Sequence, residues 1–167
     1  MVITHMDGAA PARGREGDER HMTRPTYEVE YEQMLLSRHE LLRRRPHALD
    51  RSAYVLLSRI RVQGPMSIGE LSDAFGLDAS TLNRQTAAAM RAGLVERIPD
   101  PTGGIARKFR ITDKGSRMLD EQRDSIVRSL DRVMAGWSDD DISAFAAYLR
   151  RFNRDIETLS QRPWPRP

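Results

Sequence analysis

The chain has 167 residues, 39% of them apolar and 31% charged, with a formal net charge of +3 at pH 7. That composition suits one compact domain, or two intimate lobes, with flexible ends, and no apolar run approaches the length of a membrane-spanning helix. Cysteine is absent, which excludes structural disulfides and thiol-based oxidant sensing. The net charge is modest for this length, so where the cations lie says more than their sum.

Residues 1–24 hold Gly, Ala, Pro and as many acids as bases, with little to bury, and are expected as a disordered N-terminal tail. They lack the apolar core of a secretory signal, so the expected location is cytoplasmic. Met1, Met6 and Met22 are each a sensible start. Residues 25–50 read as an N-terminal dimerisation helix marked by Tyr27, Tyr31, Met34, Leu35, Leu41 and Leu42. Arg43-Arg44-Arg45 closes it ahead of Pro46, as a solvated helix end or, alternatively, a phosphate contact.

The segment 51–112 carries the strongest pattern. Ser67 with Glu70 three residues on is a capping box, which fixes a helix start at Ser67. Leu71, Ala74 and Phe75 then share a face, and Gly76 supplies the left-handed position that ends the helix. Asp78 is an N-cap for a second helix with Leu82, Thr86, Ala89 and Met90 on its inner side, stopping at Gly93. Two such helices joined by a tight turn make a helix-turn-helix. The second presents Ser80, Thr81, Asn83, Arg84 and Gln85 near its N-terminus. Those residue types donate to phosphates and base edges, with Arg suited to guanine and Asn or Gln to adenine. Read blandly, they are the solvated start of any amphipathic helix.

The hairpin behind that helix favours the reading head. Leu94, Val95 and Ile98 make a short strand, Asp100-Pro101-Thr102-Gly103-Gly104 is turn chemistry, and Phe109 and Ile111 alternate inward against Lys108 and Arg110. The hairpin reads as a wing or, alternatively, as a solvated hairpin. Arg107, Lys108 and Arg110 give it a local cationic excess suited to minor-groove or phosphate contact.

Residues 113–160 supply linking and C-terminal dimerisation helices. Leu119, Gln122, Ile126, Leu130 and Val133 stripe the first, and Gly136-Trp137 breaks the chain between the two. Ser138 with Asp141 caps the second, where Ile142, Phe145, Leu149, Phe152, Ile156 and Leu159 repeat at alternating spacings of three and four. Such a seam asks for a partner helix, from a second copy or from within the same chain. Residues 161–167 read as a flexible tail.

From Ser67 to Gly115 the chain resembles the winged helix-turn-helix core of the MarR family of transcriptional regulators. The resemblance rests on IGELSDAFGLDASTLNR, on AGLVER closing the recognition helix, on the DP that opens the wing and on the IT-x-x-G that leaves it. With the flanking helices it extends from Thr26 to about Leu159. It implies a mainly α fold with a small β-wing, flanked by N- and C-terminal dimerisation helices. It also implies a homodimeric repressor of a pseudo-palindromic double-stranded DNA operator, released by a small organic effector. Ser67, Ser80, Thr81, Asn83, Arg84, Gln85, Arg107, Lys108 and Arg110 are the expected DNA-binding residues. Tyr27, Tyr31, Ile142, Phe145, Leu149, Phe152 and Ile156 are the expected dimerisation residues. Two departures stand out. The wing tip carries Gly103-Gly104-Ile105 where an Asp-Arg or Arg-Arg pair is common, and Gln85-Thr86 replaces two aliphatic residues, either lightly buried or part of the reading face.

No nucleophile elbow, phosphate-binding glycine loop or paired-carboxylate site is present, so neither catalysis nor a cofactor is expected. Asp139-Asp140-Asp141 sits where a helix N-terminus favours acids. His5, His21, His39 and His47 are too scattered for a metal site. The remaining effector class is an organic molecule; Tyr27, Tyr31, His39 and Trp137 are candidates to line a crevice for it, although core packing accounts for the apolar ones equally well. The rival function is a winged-helix adaptor that meets proteins rather than DNA.

Overall fold

The computed structural model describes residues 24–38 and 49–166, which fall into two units, one within Met1–Glu40 and one within Leu41–Pro167. The first contributes helix α1 (Pro25–Arg38), exposed along its length apart from a half-buried Leu35. Leu41, Leu42, Arg43 to Arg45 and Pro46, read from the sequence as the end of that helix, lie outside the described residues, as do all four histidines.

The second unit opens with α2 (Arg51–Gln63), a helix that the sequence pattern does not assign. Asp50 caps it by accepting from the Ala53 amide at 2.8 Å, and Gly64 ends it at φ 89°. Leu56, Leu57 and Ile60 are fully buried and form the centre of the core. Each such side chain contributes about 1.5–3 kcal/mol through burial.

Helix α3 (Ile68–Phe75) starts at the capping box: the Ser67 amide donates to Glu70 Oε2 at 2.6 Å and the Glu70 amide to Ser67 Oγ at 3.2 Å. Gly76 ends it in the left-handed conformation, φ 63°. Helix α4 (Ala79–Arg91) comes after a tight turn and buries Leu82, Thr86 and Ala89. Thr86 therefore belongs to the core and not to the reading face. Its hydroxyl donates to the Leu82 carbonyl at 2.8 Å, the bond a buried threonine in a helix needs. Met90, expected on the inner side, is exposed. Two turns plus one residue beyond Leu82, it has rotated past the edge of the buried arc.

Strands β1 (Val95–Pro99) and β2 (Arg107–Ile111) pair antiparallel, with Arg97 opposite Phe109 and Glu96 opposite Arg110. Two further bonds between Met66 and Phe109, of 2.7 and 3.1 Å, fasten the wing to the segment entering α3. Helix α5 (Asp113–Val133) then leaves the wing through a close approach, since a Cβ on Gly115 would stand 2.1 Å from the Leu94 carbonyl oxygen. Leu119 is buried in the core; towards the far end of the helix Ser129 is buried while Val127, Leu130 and Val133 lie open. Helix α6 (Asp139–Ser160) is capped by Ser138, whose Oγ accepts from the Asp141 amide at 3.1 Å, and contains no fully buried residue. Among the described residues no helix is long and apolar enough to cross a membrane.

The segment after α6 departs from the expected flexible tail. Residues 162–166 lie against α2, α3 and α6 because Trp164 finds two partners there: the Arg59 guanidinium over its ring and the edge of Phe75.

Candidate nucleic-acid interface

The first turn of α4 is organised by Asp78. Its carboxylate accepts from the Thr81 amide at 2.8 Å, from Thr81 Oγ1 at 3.0 Å and from the Ser80 hydroxyl. Those bonds, the Ser80 hydroxyl first, hold the carboxyl down at about 2. Arg84 Nη2 donates to Thr81 Oγ1 at 3.0 Å, which steadies the guanidinium over the helix start. The Ser80 and Thr81 hydroxyl protons are thus committed within the helix end. Asn83, Arg84 and Gln85 keep most of their donors: among the described residues the Asn83 and Gln85 amides have no side-chain partner, and Arg84 uses one of its N–H groups. Asn83 and Arg84 are exposed and Gln85 half-buried. A planar guanidinium beside carboxamides, projecting from a helix N-terminus, is the donor set that reads guanine and adenine edges in the major groove.

Ser67 lies at the start of α3, its Oγ holding the Glu70 amide. Glu70 in turn anchors the wing. Lys108 Nζ lies 3.1 Å from Glu70 Oε1 and 3.5 Å from Asp100 Oδ1, and the Lys108 side chain is only 14% exposed. The Glu70 bond is the main cause that raises the ammonium above its ordinary value. Glu70 is held below the usual carboxylate range, first by the Ser67 amide and then by Lys108. The alternation that points Lys108 outward is correct for the strand, yet two carboxylates already surround the charge.

Arg110 donates to Glu96 Oε1 through Nε at 3.0 Å and Nη2 at 2.8 Å, as their cross-strand register requires. Arg107 differs: it is exposed and has no ion-pair partner among the described residues. Arg97, which the sequence pattern does not single out, is likewise exposed on β1. The signal that would find it is its place in the wing beside Glu96, whose charge is taken by Arg110.

At the tip, Asp100 accepts from Thr102 through both the amide (2.9 Å) and the hydroxyl (2.8 Å), and Gly103 turns the chain at φ 86°. A Cβ on Gly104 would come within 2.4 Å of Asp100 Oδ2, so the tip stays narrow. Ile105 projects fully into solvent.

The expected dimerisation residues lie elsewhere. Phe145, Leu149 and Phe152 are each 43% exposed along α6, with Ile156 beside them and Ile142 half-buried. Trp137 meets the Phe145 ring at 5.6 Å, edge to face. Tyr27 and Tyr31 are exposed on α1. His39, named with these two tyrosines and Trp137 for an effector crevice, lies outside the described residues.

A helix-turn-helix with free donors near the start of its second helix, a wing behind it and apolar stripes outside the core invite comparison with known regulators. The model of the MarR family matches residues 49–103, spanning α2 to the wing tip. YxaD of Bacillus subtilis, an uncharacterized HTH-type transcriptional regulator, is 34% identical over 106 residues, 64% of this chain and 74% of that protein. The chain belongs to the MarR family. A MarR family protein from Bacillus stearothermophilus has the same fold, with a TM-score of 0.66 at 26% identity, over 83% of this chain and 96% of that one. The PcaV transcriptional regulator from Streptomyces coelicolor, solved with its natural ligand, aligns with a TM-score of 0.57 at 23% identity, over 81% of this chain and 95% of its own. As a MarR family member this is a DNA-binding transcriptional regulator.

Proposed function

We propose that two copies of the chain bind a pseudo-palindromic operator, each inserting α4 into a major groove, and that the bound dimer represses transcription until a small organic ligand lowers its affinity. The observation that carries this reading is a pairing of opposite surfaces in one unit. Asn83 and Arg84 offer uncommitted donors on α4, while Phe145, Leu149 and Phe152 leave an apolar seam open on α6.

One winged helix has one reading head, and specific recognition commonly uses two heads about 34–36 Å apart. A second copy covering the α6 seam supplies the second head. The 22-residue α6 is roughly 33 Å long, and the seam from Ile142 to Leu159 occupies about 26 Å of it; the exposed apolar residues of α1 offer a further surface to a partner. Arg107 and Arg97 then face the duplex with their charges free, and phosphate attraction adds to base reading. The ligand part of the reading is supported by PcaV, which was solved with its natural ligand. By linkage, a ligand that weakens DNA binding must itself bind more weakly to the DNA complex.

The test is the oligomeric state with and without DNA. Sedimentation should give a dimer, and one dimer per operator. Leu149→Asp places a charge in the seam and should yield folded monomers that bind a full operator no better than a half-site. A wild-type monomer that reads DNA with full specificity would contradict the proposal.

A further inference from the structure

The geometry points to Trp164 as a positioning residue for DNA reading: it straps the end of α6 to the helix-turn-helix and thereby fixes the angle at which α4 is presented. The inference rests on the dimeric-reader proposal and adds a part to it.

Gln161 reverses the chain after α6 in the left-handed conformation, φ 54°, and the Arg162 amide bonds back to the Glu157 carbonyl at 3.1 Å. Arg162 then lays its guanidinium on Gly76, with Cζ 2.6 Å from where a Cβ would stand. The Pro163 carbonyl accepts from Arg59 Nη1 at 3.0 Å. The Trp164 ring has the Arg59 guanidinium 4.9 Å from its centre and the Phe75 ring at 5.7 Å, inclined by 66°. Glu157 closes the strap, accepting from the Trp164 amide at 3.2 Å and from Arg166 at 2.6 and 3.0 Å.

The targets of the strap give it a function beyond packing. Phe75 is the last residue of α3 and Gly76 is the turn leading to the α4 cap, so both lie at the pivot of the reading helix. Arg59, from α2, is buried and also donates to Gln63 at 2.9 Å. Removing the indole strips that guanidinium of its aromatic neighbour. Apart from the strap, α5 is the described element that runs from the head to the seam on α6. Base reading by two heads needs both angles correct at once, whereas phosphate attraction tolerates a tilt. Loss of Trp164 should therefore reduce the ratio of specific to non-specific binding.

The experiment uses full-length Trp164→Ala and Trp164→Phe, a selected operator, a random duplex of equal length, and amide exchange at Gly76 without DNA. Trp164→Ala should bind the operator about tenfold more weakly with random-duplex binding unchanged, and the Gly76 amide, bonded to the Ser72 carbonyl at 2.8 Å, should exchange faster. Trp164→Phe, which keeps a ring for Arg59 and Phe75, should restore most of both. Unchanged operator binding by Trp164→Ala, or equal losses on both duplexes, overturns the inference. If wild type shows no operator preference, the dimeric-reader proposal has failed; unchanged Gly76 exchange in Trp164→Ala then overturns the strap as well, and faster exchange supports it.

Discussion

Lys108 on β2 and Glu70 on α3 meet at 3.1 Å, although 38 positions separate them in the chain. The same glutamate holds the Ser67 amide, so one carboxylate both caps the first helix of the reading head and anchors the wing. The wing's cations are thereby divided. Lys108 is balanced by two acids and Arg110 by Glu96, while Arg107 remains free of acidic partners among the described residues.

That division is measurable as salt dependence. Arg107→Ala should lower the slope of log affinity against log salt by about one, the value for a single phosphate contact. Lys108→Ala should lower it by less, and Glu96→Ala, which releases Arg110, should steepen it. A full-unit loss in Lys108→Ala would show that the lysine leaves its carboxylates for the DNA.

Base reading is expected to centre on Asn83 and Arg84. Replacing either with alanine should cost on the order of 1–3 kcal/mol on the operator and relax preference at a defined base pair, with little change on random DNA. Titrations against operators mutated one base pair at a time would assign each residue its base. Equal losses on every sequence would assign both residues to phosphate.

Acid should weaken the start of the recognition helix. The Asp78 carboxyl titrates at about 2 in the folded chain against an ordinary 3.8. Its stabilisation is therefore complete above the unfolded value and drains away as pH falls through 3.8 towards 2. Asp78→Asn keeps a capping oxygen but does not titrate. The stability difference between wild type and Asp78→Asn, measured by denaturant unfolding, should shrink as pH falls from about 5 to about 2. A difference that is flat with pH would refute the assigned role.

Two substitutions probe the frame behind the head. Leu57 is 0% exposed at the centre of the core, and Leu57→Ala should cost about 2–5 kcal/mol in urea unfolding. Gly115→Ala forces a methyl against the Leu94 carbonyl and should destabilise through displacement of α5 from the wing. A Gly115→Ala protein as stable as wild type would mean that this approach relaxes without consequence.

Much of this structure is written locally. The Ser67–Glu70 box, the Asp78 cap, the Ser138–Asp141 cap and the left-handed Gly76 are legible because each partner lies within a few residues. Alternation around Phe109 likewise marks the wing. The features that escape the sequence depend on distant partners. Helix α2 is obscured because Arg59 interrupts its apolar pattern, and that arginine is buried against Pro163 and Trp164, more than a hundred residues away. Prolines at 163 and 165 look like a tail until Arg59 and Phe75 are placed beside Trp164. Which wing cation is free is set by Glu70 and Glu96, and strand periodicity alone carries no trace of it.

The measurement that bears most directly on the central claim is selection of preferred sites from random duplex DNA by the purified full-length protein at near-physiological salt, where purely phosphate-driven binding is suppressed. The result predicted by a two-headed reader is enrichment of an inverted repeat whose half-sites lie about one helical turn apart. No enrichment from a folded dimeric sample would contradict it and turn attention to protein partners of the winged helix.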